Sequence, residues 1–202
     1  MTRSLLEIGL AQFTLPGQAQ SGDRCYLKQD EERAVIGVVD GVGHGPQAAE
    51  AAALACEVLA DDGAAPLREL MVRCHERLRG SRGAAIALLA VDRQRQRLEW
   101  LGVGNVAVLL LHPAATGQLA RTELFLRAGV VGDSLPATAA SQMRIVPGDV
   151  IVAATDGVDT GFLDSIARLE PPQRLAERLL AEHRNGHDDA LVLVARVQWG
   201  VS

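Results

Sequence analysis

The sequence predicts an α+β fold in which helices pack on antiparallel sheet. Three observations carry this expectation: ten short runs rich in leucine or β-branched residues, several connectors of only a few residues, and three apolar stripes at helical spacing. Strand signals fall at 5–13, 24–27, 34–39, 83–92, 97–103, 107–112, 123–127, 141–146, 150–154 and 190–198, bounded by turn-forming residues. "DRQRQR" separates one neighbouring pair and "PGD" another. Connectors this short imply antiparallel hairpins, because parallel neighbours need a long crossover. The first helix is expected after Gly45, where Pro46 suits a first turn and Ala49, Ala52, Ala53, Cys56, Leu59 and Ala60 recur at helical spacing. A second, carrying Leu67, Leu70, Met71, Cys74 and Leu78, starts after Pro66 and ends before Gly80. The third follows Pro171 and Pro172 and carries Leu175, Ala176, Leu179 and Leu180. "GQLA" and "PATAAS" read as loops, and there is no internal repeat, low-complexity tract or linker.

With 202 residues, of which 48% are hydrophobic, the chain is long enough for one core, and 1–202 is expected to be a single domain. Aromatic residues make up only 3%, so the core must be aliphatic and an aromatic platform for nucleic acid is missing. A net charge of −5 also disfavours nucleic acid, whose phosphates are held by Lys and Arg patches. Cys25, Cys56 and Cys74 show no Cys-x-x-Cys spacing, which suits a reducing cytoplasm, and Cys56 and Cys74 are expected as small buried hydrophobes. Residues 1–10 carry Arg3 and Glu7 and do not read as a secretory signal. The uncharged stretch 100–120 approaches the roughly 20 residues that span a bilayer. Its glycines, Asn105, His112 and Pro113 break it up, so a core strand is expected and no membrane association.

The acids become informative when sorted by context. Most lie in charged or helical surroundings, but four do not: Asp23 in "SGD", Asp40 in "VVDGVGHG", Asp156 in "VIVAATDG" and Asp188 in "GHDDALVLVARV". Asp40 and Asp156 repeat one design, an apolar strand followed by Asp and then Gly. A single Asp-Gly is usually a turn. Four such acids at the ends of neighbouring strands would repel one another unless a cation stood among them, and an all-oxygen donor set favours Mg²⁺ or Mn²⁺ over zinc. Glycine at position 41 would leave room for its backbone carbonyl to approach such an ion.

Taken in order, "SGD", "VVDGVGHG", "GVGNVAVLLL", "AGVVGDSLP", "VIVAATDGV" and "GHDDALVLV" resemble the metal-dependent serine/threonine protein phosphatases of the PPM family. The match is to the compact bacterial branch of sporulation phosphatases and stressosome feedback phosphatases of the RsbX type, and it runs from about Ser21 to Val197. The resemblance implies a sandwich of two antiparallel β-sheets flanked by α-helices. It also implies two divalent cations, Mn²⁺ or Mg²⁺, with Asp40 bridging them, Asp23 and the Gly41 carbonyl completing one site, and Asp156 and Asp188 the other. Asp40, Asp156 and Asp188 would carry the catalysis, while Asp189 would support the ligands and His44 would either donate a proton to the leaving oxygen or serve as a structural hydrogen-bonding group.

The implied reaction is hydrolysis of phosphoserine or phosphothreonine by a metal-activated water, on a signalling protein such as a stressosome scaffold or anti-sigma-pathway component. Many members place an arginine upstream of the first acidic motif, and "LPGQAQSGD" has none, so phosphate binding would rest mainly on the metals. A noncatalytic phosphatase-fold module that binds a phosphoprotein is the alternative, although such a module has no chemical need of all four acids. Hydrolysis of small phosphoesters is a third reading, and nucleotide binding is disfavoured because no Walker-type glycine-rich loop precedes a lysine.

Overall fold

The computed structural model describes residues 4–114 and 118–199. In chain order its elements are β1 (Leu6–Phe13), β2 (Asp23–Gln29), β3 (Arg33–Gly41), α1 (Pro46–Asp62), α2 (Leu67–Leu78), β4 (Ala84–Asp92), β5 (Arg97–Val103), β6 (Ala107–Pro113), β7 (Leu119–Glu123), β8 (Ser141–Arg144), β9 (Val150–Ala154), α3 (Phe162–Ser165), α4 (Pro172–His183) and β10 (Ala190–Val197). The strands make two five-stranded antiparallel sheets: sheet A in the order β1-β10-β9-β6-β7, sheet B in the order β2-β3-β4-β5-β8. This is the expected sandwich with flanking helices.

The near-continuous apolar runs of the central strands have a direct cause: both faces of each sheet are covered. In β10, Leu191, Leu193 and Ala195 point between the sheets, while Ala190, Val192 and Val194 point toward α4. In β4, Ala85, Ala87, Leu89 and Val91 join the inter-sheet core, while Ala84, Ile86, Leu88 and Ala90 face α1 and α2. The period of two therefore separates two apolar environments and gives no polar alternation.

Helices α2 and α4 bury the residues expected of them. In α1 the buried face is turned toward Ala48, Ala51, Ala55 and Leu59, leaving Cys56 half-buried and Ala60 exposed. Alanines stand on both sides of this helix, so periodicity alone could not orient it. Cys74 is buried as expected, and burial pushes its thiol and that of Cys25 up to about 12. Among the described residues no helix is long and apolar enough to cross a membrane.

Several expectations need correction. The seventh strand is Leu119–Glu123 rather than 123–127, and it takes in part of "GQLA", whose Gly117 lies outside the described residues. The short helix α3 carries no stripe long enough to reveal itself. "PGD" does not close a hairpin: β8 pairs with β5 in sheet B, and β9 pairs with β10 and β6 in sheet A. At this corner buried Asp149 accepts a hydrogen bond from the Val146 amide at 2.8 Å and stands 2.9 Å from Nδ1 of His112. A short connector brings strand ends together but does not fix whether they join the same sheet.

Since Leu193 lies in the inter-sheet core with no exposed surface, Leu193→Ala should lower the unfolding free energy by about 2–5 kcal/mol. Leu10→Ala, at a position 39% exposed, should change it by less than about 0.5 kcal/mol. Urea unfolding of both variants checks this, and equal losses would contradict the assignment of the core.

Candidate functional site

The two sheets each deliver half of one acidic cluster. In sheet B, Asp23 opens β2 and pairs in register with Asp40 near the end of β3, so Asp23 lies within its strand and not ahead of it. In sheet A, Asp156 follows the end of β9 and Asp188 precedes the start of β10; these strands are antiparallel neighbours, with Ala154 opposite Val192. Antiparallel pairing therefore brings the four acids from four distant parts of the chain to a common end of the sandwich.

The repeated Asp-Gly design has a packing reason at both sites. A Cβ on Gly41 would stand 2.2 Å from the Ala48 carbonyl oxygen, so the first turn of α1 rests directly on the end of β3. A Cβ on Gly157 would stand 1.9 Å from the Asp189 carbonyl oxygen, so the end of β9 closes against the segment that carries Asp188. Gly43 and Gly45, at φ of +78° and +83°, then let the chain turn from β3 into α1.

Asp40, Asp156 and Asp188 line a cleft of about 330 Å³ together with Asn105, Gly43 and Val130. Asp23 is buried, and its Oδ2 accepts a hydrogen bond of 2.6 Å from the Thr155 hydroxyl, which itself accepts one from the Leu191 amide at 2.8 Å. Thr155 thereby fastens sheet A to sheet B at the acidic end. Asn105 donates to Oδ2 of Asp156 at 2.7 Å, and Asn185 donates to the Asp156 carbonyl at 3.1 Å. Asp189 is buried and accepts from the Gly22 amide at 2.6 Å and the Leu15 amide at 2.7 Å, tying the segment before β2 to the start of β10. His44 is exposed, with Nδ1 3.4 Å from Nε2 of Gln18, and its charge favours the ionised form of Asp188.

Thr155 and Asn105 escaped the sequence reading. Both stand in the quoted motifs, "VIVAATDGV" and "GVGNVAVLLL", but neither is charged, and each acts on an acid that only the folded chain brings near or fixes in orientation.

The electrostatics show what the cluster lacks. Burial, followed by the charges of Asp23, Asp156 and Asp188 and a hydrogen bond with Asp156, pushes the Asp40 carboxyl up to about 9. Asp23 rises to about 7, chiefly through burial, against the Thr155 hydrogen bond and with the charges of Asp189, Asp156 and Asp188 adding to it. Asp188 is also raised, mainly by burial. Without a cation, protons must supply the neutralising charge.

An oxygen-only donor set of this kind fits a hard divalent ion. Among the described residues, no three His, Cys, Asp or Glu side chains form a group that would hold an ion by themselves. Water and backbone oxygen, such as the Gly41 carbonyl, would therefore have to complete the shell of a bound ion, and Mg²⁺ ordinarily keeps several waters.

The family model described as stage II sporulation protein E (SpoIIE) matches residues 30–198. The chain belongs to the SpoIIE family. It is thus a PPM-type bacterial phosphatase domain by descent, as the sequence motifs led us to expect. Phosphoserine phosphatase RsbX of Bacillus subtilis (strain 168) is 25% identical over 103 residues, 51% of this chain and 52% of RsbX, so the match spans about half the length of that relative. A chain from a structure of the bacterial stressosome, a modular system adapted to control secondary messenger signalling, superposes with a TM-score of 0.83 at 30% identity, covering 95% of this chain and 99% of its own. RsbX in complex with magnesium superposes with a TM-score of 0.85 over 98% of this chain and 100% of its own; at 18% identity that likeness concerns the fold.

The raised carboxyls fix the sign of a pH effect. Folded Asp40 and Asp23 keep protons that the unfolded chain releases near pH 4, so between about pH 5 and about pH 8 the folded state binds more protons and stability falls as pH rises. In EDTA the melting temperature should decline across that window, and Asp40→Asn should flatten the decline and melt above wild type at the alkaline end. A profile that rises with pH, or an Asn variant that melts lower throughout, would show that the acids do not strain one another.

Proposed function

We propose that the chain is a metal-dependent serine/threonine phosphoprotein phosphatase acting as one domain over 1–202. The observation that supports it most is the convergence of Asp23 and Asp40 from one sheet with Asp156 and Asp188 from the other, at a cleft open to a phosphorylated side chain. In this reading two divalent cations, Mg²⁺ or Mn²⁺, are held there. Asp40 serves both, Asp23 and the Gly41 carbonyl serve one, and Asp156 and Asp188 the other. Such ions, when bound, lower the pKa of a water and offset charge on the phosphoryl oxygens.

The residues of the chain do the positioning. Asp40 is fixed by its place near the end of a fully paired central strand, Asp23 by Thr155, and Asp156 by Asn105. Asp189 holds the backbone next to Asp23 through the Gly22 amide. His44 is exposed, and in this reading it gives a proton to the departing seryl or threonyl oxygen.

Membership of the SpoIIE family and the likeness to RsbX and to a stressosome chain support a phosphorylated stressosome or anti-sigma-pathway protein as the substrate. Three free cysteines are consistent with action in a reducing cytoplasm.

Release of phosphate from a phosphoserine or phosphothreonine protein, with Mn²⁺ or Mg²⁺ and again with EDTA, tests the reading. Turnover should require the metal, and Asp40→Asn should reduce it at least about a hundredfold while still folding. Undiminished turnover in folded Asp40→Asn would refute the two-metal assignment.

A further inference from the structure

We propose that Arg82 is the phosphate-binding side chain of this cleft, contacting the phosphoryl oxygens from its rim. The inference rests on the phosphatase reading above, for which the cleft presents an electrostatic difficulty. Its charged side chains are Asp40, Asp156 and Asp188, with Asp23 buried nearby, and no Lys or Arg lines it. A phosphate monoester is itself an anion and would approach a wall of like charge. Metal ions would offset the carboxylates, but a cation outside the cluster is needed to draw in and orient the remaining phosphoryl oxygens.

Three arginines, Arg24, Arg82 and Arg127, come into question for this role, and the structure separates them. Arg24 follows Asp23, but its side chain lines a different cavity together with Cys25, Cys56 and Gln12, and its buried Nε has no hydrogen-bond partner there. Arg127 has its backbone paired with Gly102 and Gly104 and lines a groove with Trp100 and Phe125. Arg82 lies against the wall itself. A Cβ built on Gly43 would stand 2.8 Å from Nη1 of Arg82, and Gly43 is one of the residues that line the cleft. Glycine at position 43 is thus what allows the guanidinium to lie along the wall.

The base of this side chain is firmly anchored. The Gly83 carbonyl accepts from the Val42 amide at 3.1 Å, and the Gly83 amide donates to the Ser81 hydroxyl at 3.1 Å. Ala84 exchanges two backbone hydrogen bonds with Val131, at 3.0 and 2.9 Å. Val42 and Val130 both line the cleft, so the backbone that follows Arg82 is bonded to, or adjacent to, its two walls. The guanidinium is exposed, and among the described residues no carboxylate stands within ion-pair distance of it, although most of the ion pairs in the fold involve arginine. A planar guanidinium free of protein partners can present two parallel N–H donors to two phosphoryl oxygens.

The test is binding of inorganic phosphate to the full chain in MgCl₂, by calorimetry, together with kcat and KM on a phosphoprotein. Arg82→Gln should weaken phosphate at least about tenfold and raise KM more than it lowers kcat. Arg82→Lys, which keeps the charge but not the fork, should recover part of the loss, whereas Arg127→Gln should change phosphate binding less than about twofold. Unchanged melting temperatures would exclude a merely structural effect. Phosphate binding equally to wild type and Arg82→Gln, or failing to bind wild type, would overturn the proposal. Arg82-dependent phosphate binding in a protein that releases phosphate from no phosphoprotein would uphold it and count against the phosphatase reading instead.

Discussion

Burial of carboxylates beside one another, with the repulsion this adds, is the constraint on which this structure turns. Asp23 and Asp40 face each other across adjacent strands, largely out of water, with Asp156 and Asp188 close enough to raise both. An arrangement of this kind lowers stability in the ion-free protein, and nothing in the packing of the sandwich calls for it. The surrounding fold is instead arranged to tolerate it. Two sheets covered on both faces supply a large aliphatic core, and the neutral donors Thr155 and Asn105 bond Asp23 and Asp156. The strain is local and the scaffold is stiff, as a site built to receive cations requires.

Close backbone approach is the means of assembly. Gly41 lets α1 rest on the end of β3, and Gly157 lets the end of β9 meet the Asp188–Asp189 segment, so the same dipeptide serves both halves of the site. The hydroxyl of Thr155 joins those halves, reaching from the end of the central strand β9 of sheet A to Asp23 in sheet B. Register carries the rest. A slip of one residue in β2 against β3 would turn Asp23 to the opposite face of the sheet from Asp40.

Much of this was legible in the sequence, for reasons that differ by element. Strands β3, β4, β9 and β10 stand out because burial on both faces makes them nearly unbroken apolar runs. Helices α2 and α4 are legible because their polar faces are charged, whereas α1, almost all alanine along its buried side, left its orientation open. Edge strand β7 is short and largely exposed, so no burial pattern marked its limits. The four acids could be picked out because each sits at the end or start of an apolar strand, two of them in the same strand-Asp-Gly design. The roles of Thr155, Asn105 and Arg82 depend on contacts between segments tens of residues or more apart, or on glycine-permitted approaches, and no local pattern encodes those.

The most direct test of the central claim is calorimetric titration of the metal-free protein with Mn²⁺, for wild type, Asp40→Asn and Asp23→Asn. If the acids from both sheets form one binuclear site, wild type binds two ions, Asp23→Asn loses one of them, and Asp40→Asn loses both or binds them far more weakly. Failure of wild type to bind Mn²⁺, or binding by Asp40→Asn that matches wild type, would contradict the account.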